Sequence, residues 1–191
     1  MVLGSHNSWS YLKPRLWFLR PFAFTARCQE KTIKEQYDLG VRCFDLRLRF
    51  NKKGKPVIAH GLIEYNIKEN ELLDILQWLN DKNDCAIRVL HEVRNKRSYT
   101  LESKKLFVDY CDKLTSFFTG IKFWNGRNLY NAQVDYKFEY NPSCVELYSS
   151  VCPPYLIDDL YPKHYAKKNN RKNIKDNQDC EILLIDFVNI Q

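Results

Sequence analysis

Between Val41 and Phe118 the apolar pattern switches repeatedly between a period near two and a period near 3.6, and few fold classes accommodate that alternation. "VRCFDLRLRF" (41–50) alternates and is rich in β-forming residues, which predicts a strand. "NKKGK" reads as a turn, and "PVIAHG" (56–61) predicts a short strand folding back on the first. "KENELLDILQWLN" (68–80) sets Leu72, Leu73, Leu76 and Leu79 on one helical face. "CAIRVLHEVR" (85–94) returns to strand, and "LESKKLFVDYCDKLTSFF" (101–118) is a second amphipathic helix. Upstream, "EKTIKEQYDL" (30–39) has helical character and stops at Gly40. Downstream, "VDYKFEY" (134–140) predicts a strand, residues 155–178 carry no assignable pattern, and "EILLIDFVN" (181–189) predicts a buried strand. Strands alternating with helices imply an α/β fold with a mainly parallel sheet.

The 191 residues suit one domain over 1–191. A closed (β/α) barrel usually needs ~250 residues. The expectation is therefore a distorted, incomplete (β/α) TIM-type barrel without the final outer helix.

Four predicted strands carry chemical groups at or near their C-terminal ends, where active sites of such barrels lie. "VLGSHNS" brings His6 and Asn7. The 41–50 strand brings Asp45 and Arg47, which point together because residues i and i+2 of a strand share a face. The next ends on His60, and "LLIDFV" carries Asp186, an acid whose burial would be costly without a partner. Any one of these residues alone would be read as structural. As an ordered set they suit phosphodiester cleavage by an internal hydroxyl. Two histidines can move protons near neutral pH, a guanidinium can stabilise the charged transition state, and the aspartates can fix the imidazole tautomers.

A net charge of +7 points toward anionic partners. Nucleic acid is set aside, because no aromatic-basic motif of a nucleic-acid module is present. Seven cysteines without a Cys-x-x-Cys pair read as reduced thiols, not as a disulfide framework or a zinc site. Neither a signal peptide nor a stretch long enough to span a bilayer is visible. With reduced cysteines, that favours a cytoplasmic location. Nothing in the sequence fixes an oligomeric state.

The motifs "GSHNS", "GVRCFDLRLRF", "VIAHG" and "LLIDFV" resemble the phosphatidylinositol-specific phospholipase C X-domain superfamily, most closely its bacterial-type, metal-independent branch. The resemblance covers mostly residues 1–95 and the last strand. It implies a phosphoric diester lyase or hydrolase in which His6 is the general base, Asp186 orients it and His60 is the general acid with Asp45 as its partner. That pairing would have to raise the pKa of His60. Arg47 would stand where calcium-dependent relatives place the metal, so no cofactor is expected. Asn7 departs from the aspartate usual in the bacterial branch. Glu92 and Arg94, just after the fourth strand, and Arg127 are candidate head-group contacts; His91 and His164 receive no role. Trp9, Trp17 and Phe18, followed by Phe22 and Phe24 and mixed with Lys13, Arg15 and Arg20, suggest peripheral contact with a phospholipid surface. Two other readings compete. One is a metal-dependent glycerophosphodiester phosphodiesterase-like enzyme, disfavoured because "DLR" at 45–47 lacks its Glu-x-Asp pair. The other is a catalytically impaired phosphate- or lipid-binding module.

Overall fold

The computed structural model describes residues 1–127, 135–150 and 161–190. Its strands are β1 (Val2–Ser5), β2 (Cys43–Phe50), β3 (Pro56–His60), β4 (Ile63–Glu64), β5 (Cys85–His91), β6 (Ile121–Asn125), β7 (Val145–Tyr148) and β8 (Ile182–Ile185). Its α-helices are α1 (Ile33–Asp38), α2 (Glu69–Lys82), α3 (Leu101–Phe117) and α4 (Pro162–Asp176), with a 3₁₀ segment over Trp17–Thr25. Six strands run parallel in the order β6-β5-β2-β1-β8-β7, and the antiparallel hairpin β3-β4 branches from the end of β2. Among the described residues β6 and β7 do not pair, so the curled sheet is a half-barrel open on that side.

Helix boundaries follow local chemistry. Thr32 caps α1 with a full capping box to Glu35, and Thr100 caps α3 through Ser103. Asn83 ends α2 in the left-handed conformation, which asparagine tolerates. The predicted helices and the strands at 41–50, 56–61 and 85–94 are present, with shifted ends. In α2, Leu72, Leu76 and Leu79 are buried but Leu73 is exposed, so the apolar face is narrower than its leucine count suggests.

Two expectations need correction, and one unassigned stretch gains a structure. Residues 135–140 of the predicted strand at 134–140 form bends and irregular chain, and Val134 lies outside the described residues. Tyr136 and Phe138 instead pack against the core, with ring centroids 4.6 Å apart. The final strand stops at Ile185, so Asp186 sits just past its C-terminal end. The unassigned stretch 155–178 contains α4, whose polar sequence hides a buried face of Ala166, Asn170 and Asn173.

Strand register builds the inside of the half-barrel in layers. Gly4, Cys43, Ala86 and Leu184 lie side by side, and two residues further along the same strands come His6, Asp45, Arg88 and Asp186. An apolar floor, completed by Ile182 and Trp124, therefore supports a polar layer. The alternate residues Phe44, Leu46, Leu48 and Ile87 face the larger core beneath the helices. Gly4 has to be small. A Cβ there would stand 2.5 Å from Leu184 Cδ2 and 3.2 Å from Cys43 Cβ, both fully buried.

Gly4→Ala is expected to destabilise the fold by about 1–3 kcal/mol through overpacking. A matching fall in the urea midpoint at constant m-value would bear this out, and an unchanged midpoint would refute it.

Candidate active site

β1 and β8 are in register from Val2/Ile182 to Ser5/Ile185, and this places His6 beside Asp186. His6 Nδ1 lies 2.7 Å from Asp186 Oδ1. Its Nε2 lies 2.6 Å from Arg47 Nη2. A guanidinium only donates, so Nε2 accepts and Nδ1–H donates to the aspartate. The Nε2 lone pair of His6 is thereby turned onto Arg47. Asp186 is itself steadied by Ser149, whose hydroxyl donates to Oδ2 at 2.8 Å. The chain turns sharply here: Phe187 is buried at φ +46°, a strained conformation for a bulky residue.

Asp45 is fully buried and organises the neighbouring groups. Its Oδ2 accepts from Arg47 Nε at 2.8 Å and from the Asn7 amide at 3.0 Å, and its Oδ1 faces Arg88 Nη1 at 3.4 Å. Burial alone would raise its pKa, but Arg47 and Arg88 outweigh that and hold the carboxyl well below the usual carboxylate range. Arg47 is likewise opposed by burial, yet Asp45 and Glu92 drive its pKa upward, so it stays charged. The Asn7 amide reaches Asp45 from a backbone at φ +46°, which a short polar side chain tolerates. Its Nδ2 donates to the Ala26 carbonyl at 3.3 Å.

His60 faces His6 edge-on across the mouth, with ring centroids 5.9 Å apart. The expected Asp45–His60 pair does not form. His60 Nδ1 instead donates to the Ala26 carbonyl at 3.2 Å, while Asp45 is committed to Arg47, Arg88 and Asn7. The expected rise in pKa is reversed as well. Burial, then repulsion from the Arg47 guanidinium, pulls His60 down to about 3.

The remaining predicted residues divide. Glu92 belongs to the cluster as a brace: its carboxylate lies 3.6 Å from Arg47 Nη1 and accepts from the Gly61 amide at 2.9 Å. Arg94 is engaged elsewhere, 2.7 Å from Glu64. Arg127 is exposed two residues beyond β6 and makes no hydrogen bond or ion pair with the cluster among the described residues. His91 is a packing residue, stacked on Phe107 at 4.8 Å and paired with Asp135. Trp9 is fully buried, so its place in a lipid-contacting surface is withdrawn, whereas Trp17 is 76% exposed and Phe18 52%. Sequence reasoning missed Arg88, Ser149 and Cys28. For Arg88 a signal existed: a charge inside "CAIRVL" needs a buried partner by the same logic that singled out Asp186.

One donor atom each from His6, Cys28 and Asp186 lies within 4.8 Å of the others, a spacing that could suit a soft cation. Two features oppose it. Burial and the nearby Asp186 push the Cys28 thiol well up, away from the thiolate a metal needs. Arg47 also places its own positive charge against His6.

No protein-family model matches the sequence, and no curated protein matches it. Solved structures do. The phosphatidylinositol-specific phospholipase C of Listeria monocytogenes aligns over 97% of this chain and 87% of its own, with a TM-score of 0.61 and 16% identity. A double mutant of the Staphylococcus aureus enzyme aligns over 97% and 84%, with a TM-score of 0.65 and 16% identity. The fold is that of the bacterial phosphatidylinositol-specific phospholipases C. The likeness read from four motifs thus extends, at the level of fold, over nearly the whole chain.

The depressed pKa of His60 gives a pH signature. Between roughly pH 6.5 and 3 the unfolded chain binds a proton at this residue and the folded protein does not. Its stabilising contribution is therefore full above about pH 6.5 and is lost as pH falls toward 3. Because His60 is only partly shielded from solvent, the loss is expected to be about 2 kcal/mol. His60→Asn, which can retain the donor to Ala26, should flatten the stability slope over this window in urea titrations. An unchanged slope would contradict the assignment.

Proposed function

We propose that this protein is a phosphodiesterase that cleaves phosphatidylinositol or a related inositol phosphodiester by intramolecular attack of a substrate hydroxyl. One observation carries the reading: Arg47 joins Asp45 to the lone pair of His6, with His60 on the opposite wall. In this mechanism His6 Nε2 takes the proton of the attacking hydroxyl while Asp186 stabilises the imidazolium that forms. Arg47 stays anchored to Asp45 through Nε. It turns its two Nη groups, which face the His6 ring and the more distant Glu92, onto the phosphoryl oxygens. His60 delivers a proton to the leaving oxygen. Its low pKa in the free protein, set first by burial and then by Arg47, means that it gains this proton only with an anion bound, since the negative charge of a phosphodiester beside Arg47 favours the protonated ring.

The same observation favours a second reading, a phosphate-binding module whose His60 never protonates. A fluorogenic inositol phosphodiester separates the two, because turnover supports the first and saturable binding without turnover supports the second. Turnover is expected to survive EDTA, since the cationic role falls to Arg47. Activity lost in EDTA and restored by calcium or magnesium would overturn that role.

Arg47→Lys keeps the charge but loses the planar fork. It is expected to cost about 2–4 kcal/mol of transition-state stabilisation, seen in kcat/KM, with substrate binding little changed. Near-wild-type turnover would reduce Arg47 to an ion-pair partner of Asp45. His60→Ala should abolish most activity on substrates with an alkyl-alcohol leaving group and spare most of it with a phenolic one, which departs without a proton. Equal losses would remove His60 as the acid.

Membrane contact is assigned to the 3₁₀ segment, where Trp17, Phe18, Phe22 and Phe24 are exposed beside Arg15 and Arg20. The double variant Trp17→Ala/Phe18→Ala is expected to weaken binding to phosphatidylinositol vesicles about tenfold or more, from the apolar area removed. Turnover of a soluble substrate should stay near wild type. Unchanged vesicle binding would assign those aromatics to another surface.

A further inference from the structure

Cys144 and Cys180 precede β7 and β8, two neighbouring parallel strands, and their sulfur atoms lie 3.6 Å apart. Cys144 is exposed and Cys180 is buried; both are free thiols. Two further contacts fix their relative position. The Ile182 amide donates to the Cys144 carbonyl at 3.1 Å, and the Cys180 sulfur lies 3.4 Å from that same carbonyl, while its thiol has the nearer Ile182 carbonyl at 2.8 Å. The separation is too long for a bond of about 2.05 Å, so the side chains must rotate to bring the two sulfurs together.

We propose that Cys144 and Cys180 form an oxidisable pair whose cystine pins β7, the last strand of the open sheet, to β8. The co-reactant is a small-molecule disulfide such as oxidised glutathione. The accessible Cys144 thiolate attacks it, forming a mixed disulfide and releasing one equivalent of thiolate. The Cys180 thiolate then attacks the Cys144 sulfur, forming the S–S bond and expelling the second equivalent. Two protein thiols are oxidised, one small disulfide is reduced to two thiols, and the protons lost by the cysteines end on the released thiols.

The position explains what the bond would do. β7 pairs only with β8 among the described residues, so one parallel ladder holds it. The cysteines are 36 positions apart, and closing a loop of that length removes substantial entropy from the unfolded chain. The pair lies at the start of both strands, whereas Ser149 and Asp186 lie just past their ends. The cross-link therefore acts on the stability of this edge and leaves the far end of the strands in place.

The test exposes the native full-length protein to oxidised glutathione at neutral pH, then counts thiols after denaturation and maps the peptides. The titratable thiols should fall from seven to five, with one Cys144–Cys180 cystine. The melting temperature should rise by about 10 °C and return on reduction. Cys144→Ser, at an exposed position, should form no intramolecular cystine and show no such rise. Seven persistent thiols, a cystine between other partners, or a cross-link that lowers the melting temperature would each overturn the proposal.

Discussion

A carboxylate sealed inside a barrel wall has to be compensated, and the way Asp45 is compensated sets the rest of the site. Its two oxygens receive two guanidiniums and one backbone amide. Removing one member of such a buried set typically costs about 3–5 kcal/mol, because the remaining charge is stranded. The arrangement also fixes geometry. Arg47 is held through Nε, which leaves its outer nitrogens facing His6 and Glu92 at the mouth. The loop after β1 is tied down by the same carboxylate through Asn7, and Ser8 donates its amide to the Asp45 carbonyl while its hydroxyl accepts from the Asp45 amide.

The two histidines are built differently although they share a mouth. His6 has a carboxylate on one nitrogen and a guanidinium on the other, so its hydrogen bonding defines its proton position without reference to solvent. His60 has a carbonyl on one nitrogen, which fixes its tautomer but adds no negative charge. Two imidazoles 5.9 Å apart thus differ because one faces an acid and the other a peptide group.

Much of this was legible in the sequence where two signals coincided. Asp45 and Arg47 combine strand alternation with charge in an apolar run, and both the shared face and the shared site follow. Asp186 was found by the cost of burying an acid. Arg88 offered the same cost and was passed over, although strand register sets it directly beside Asp45. The Asp45–His60 pairing was inferred from proximity of function, but which of several nearby partners a carboxylate takes depends on distances of an ångström, and sequence spacing carries none. Trp9 was grouped with Trp17 and Phe18 by composition, yet it belongs to the core and they belong to the surface. The strand expected at 134–140 shows a related limit: alternating aromatics pack equally well as irregular chain when the side chains find the core.

Ala26 closes the 3₁₀ segment that carries the exposed aromatics by donating its amide to the Ala23 carbonyl, and its own carbonyl accepts from His60 Nδ1, from the Tyr65 hydroxyl at 3.1 Å and from Asn7 Nδ2. One peptide oxygen therefore joins three separate parts of the chain. A displacement of the Trp17–Thr25 segment cannot leave that oxygen where it is without stretching or exchanging the bond that sets the orientation of the His60 ring. The exposed aromatic surface and the proton-bearing ring are in this sense a single lever, with its fulcrum at residue 26.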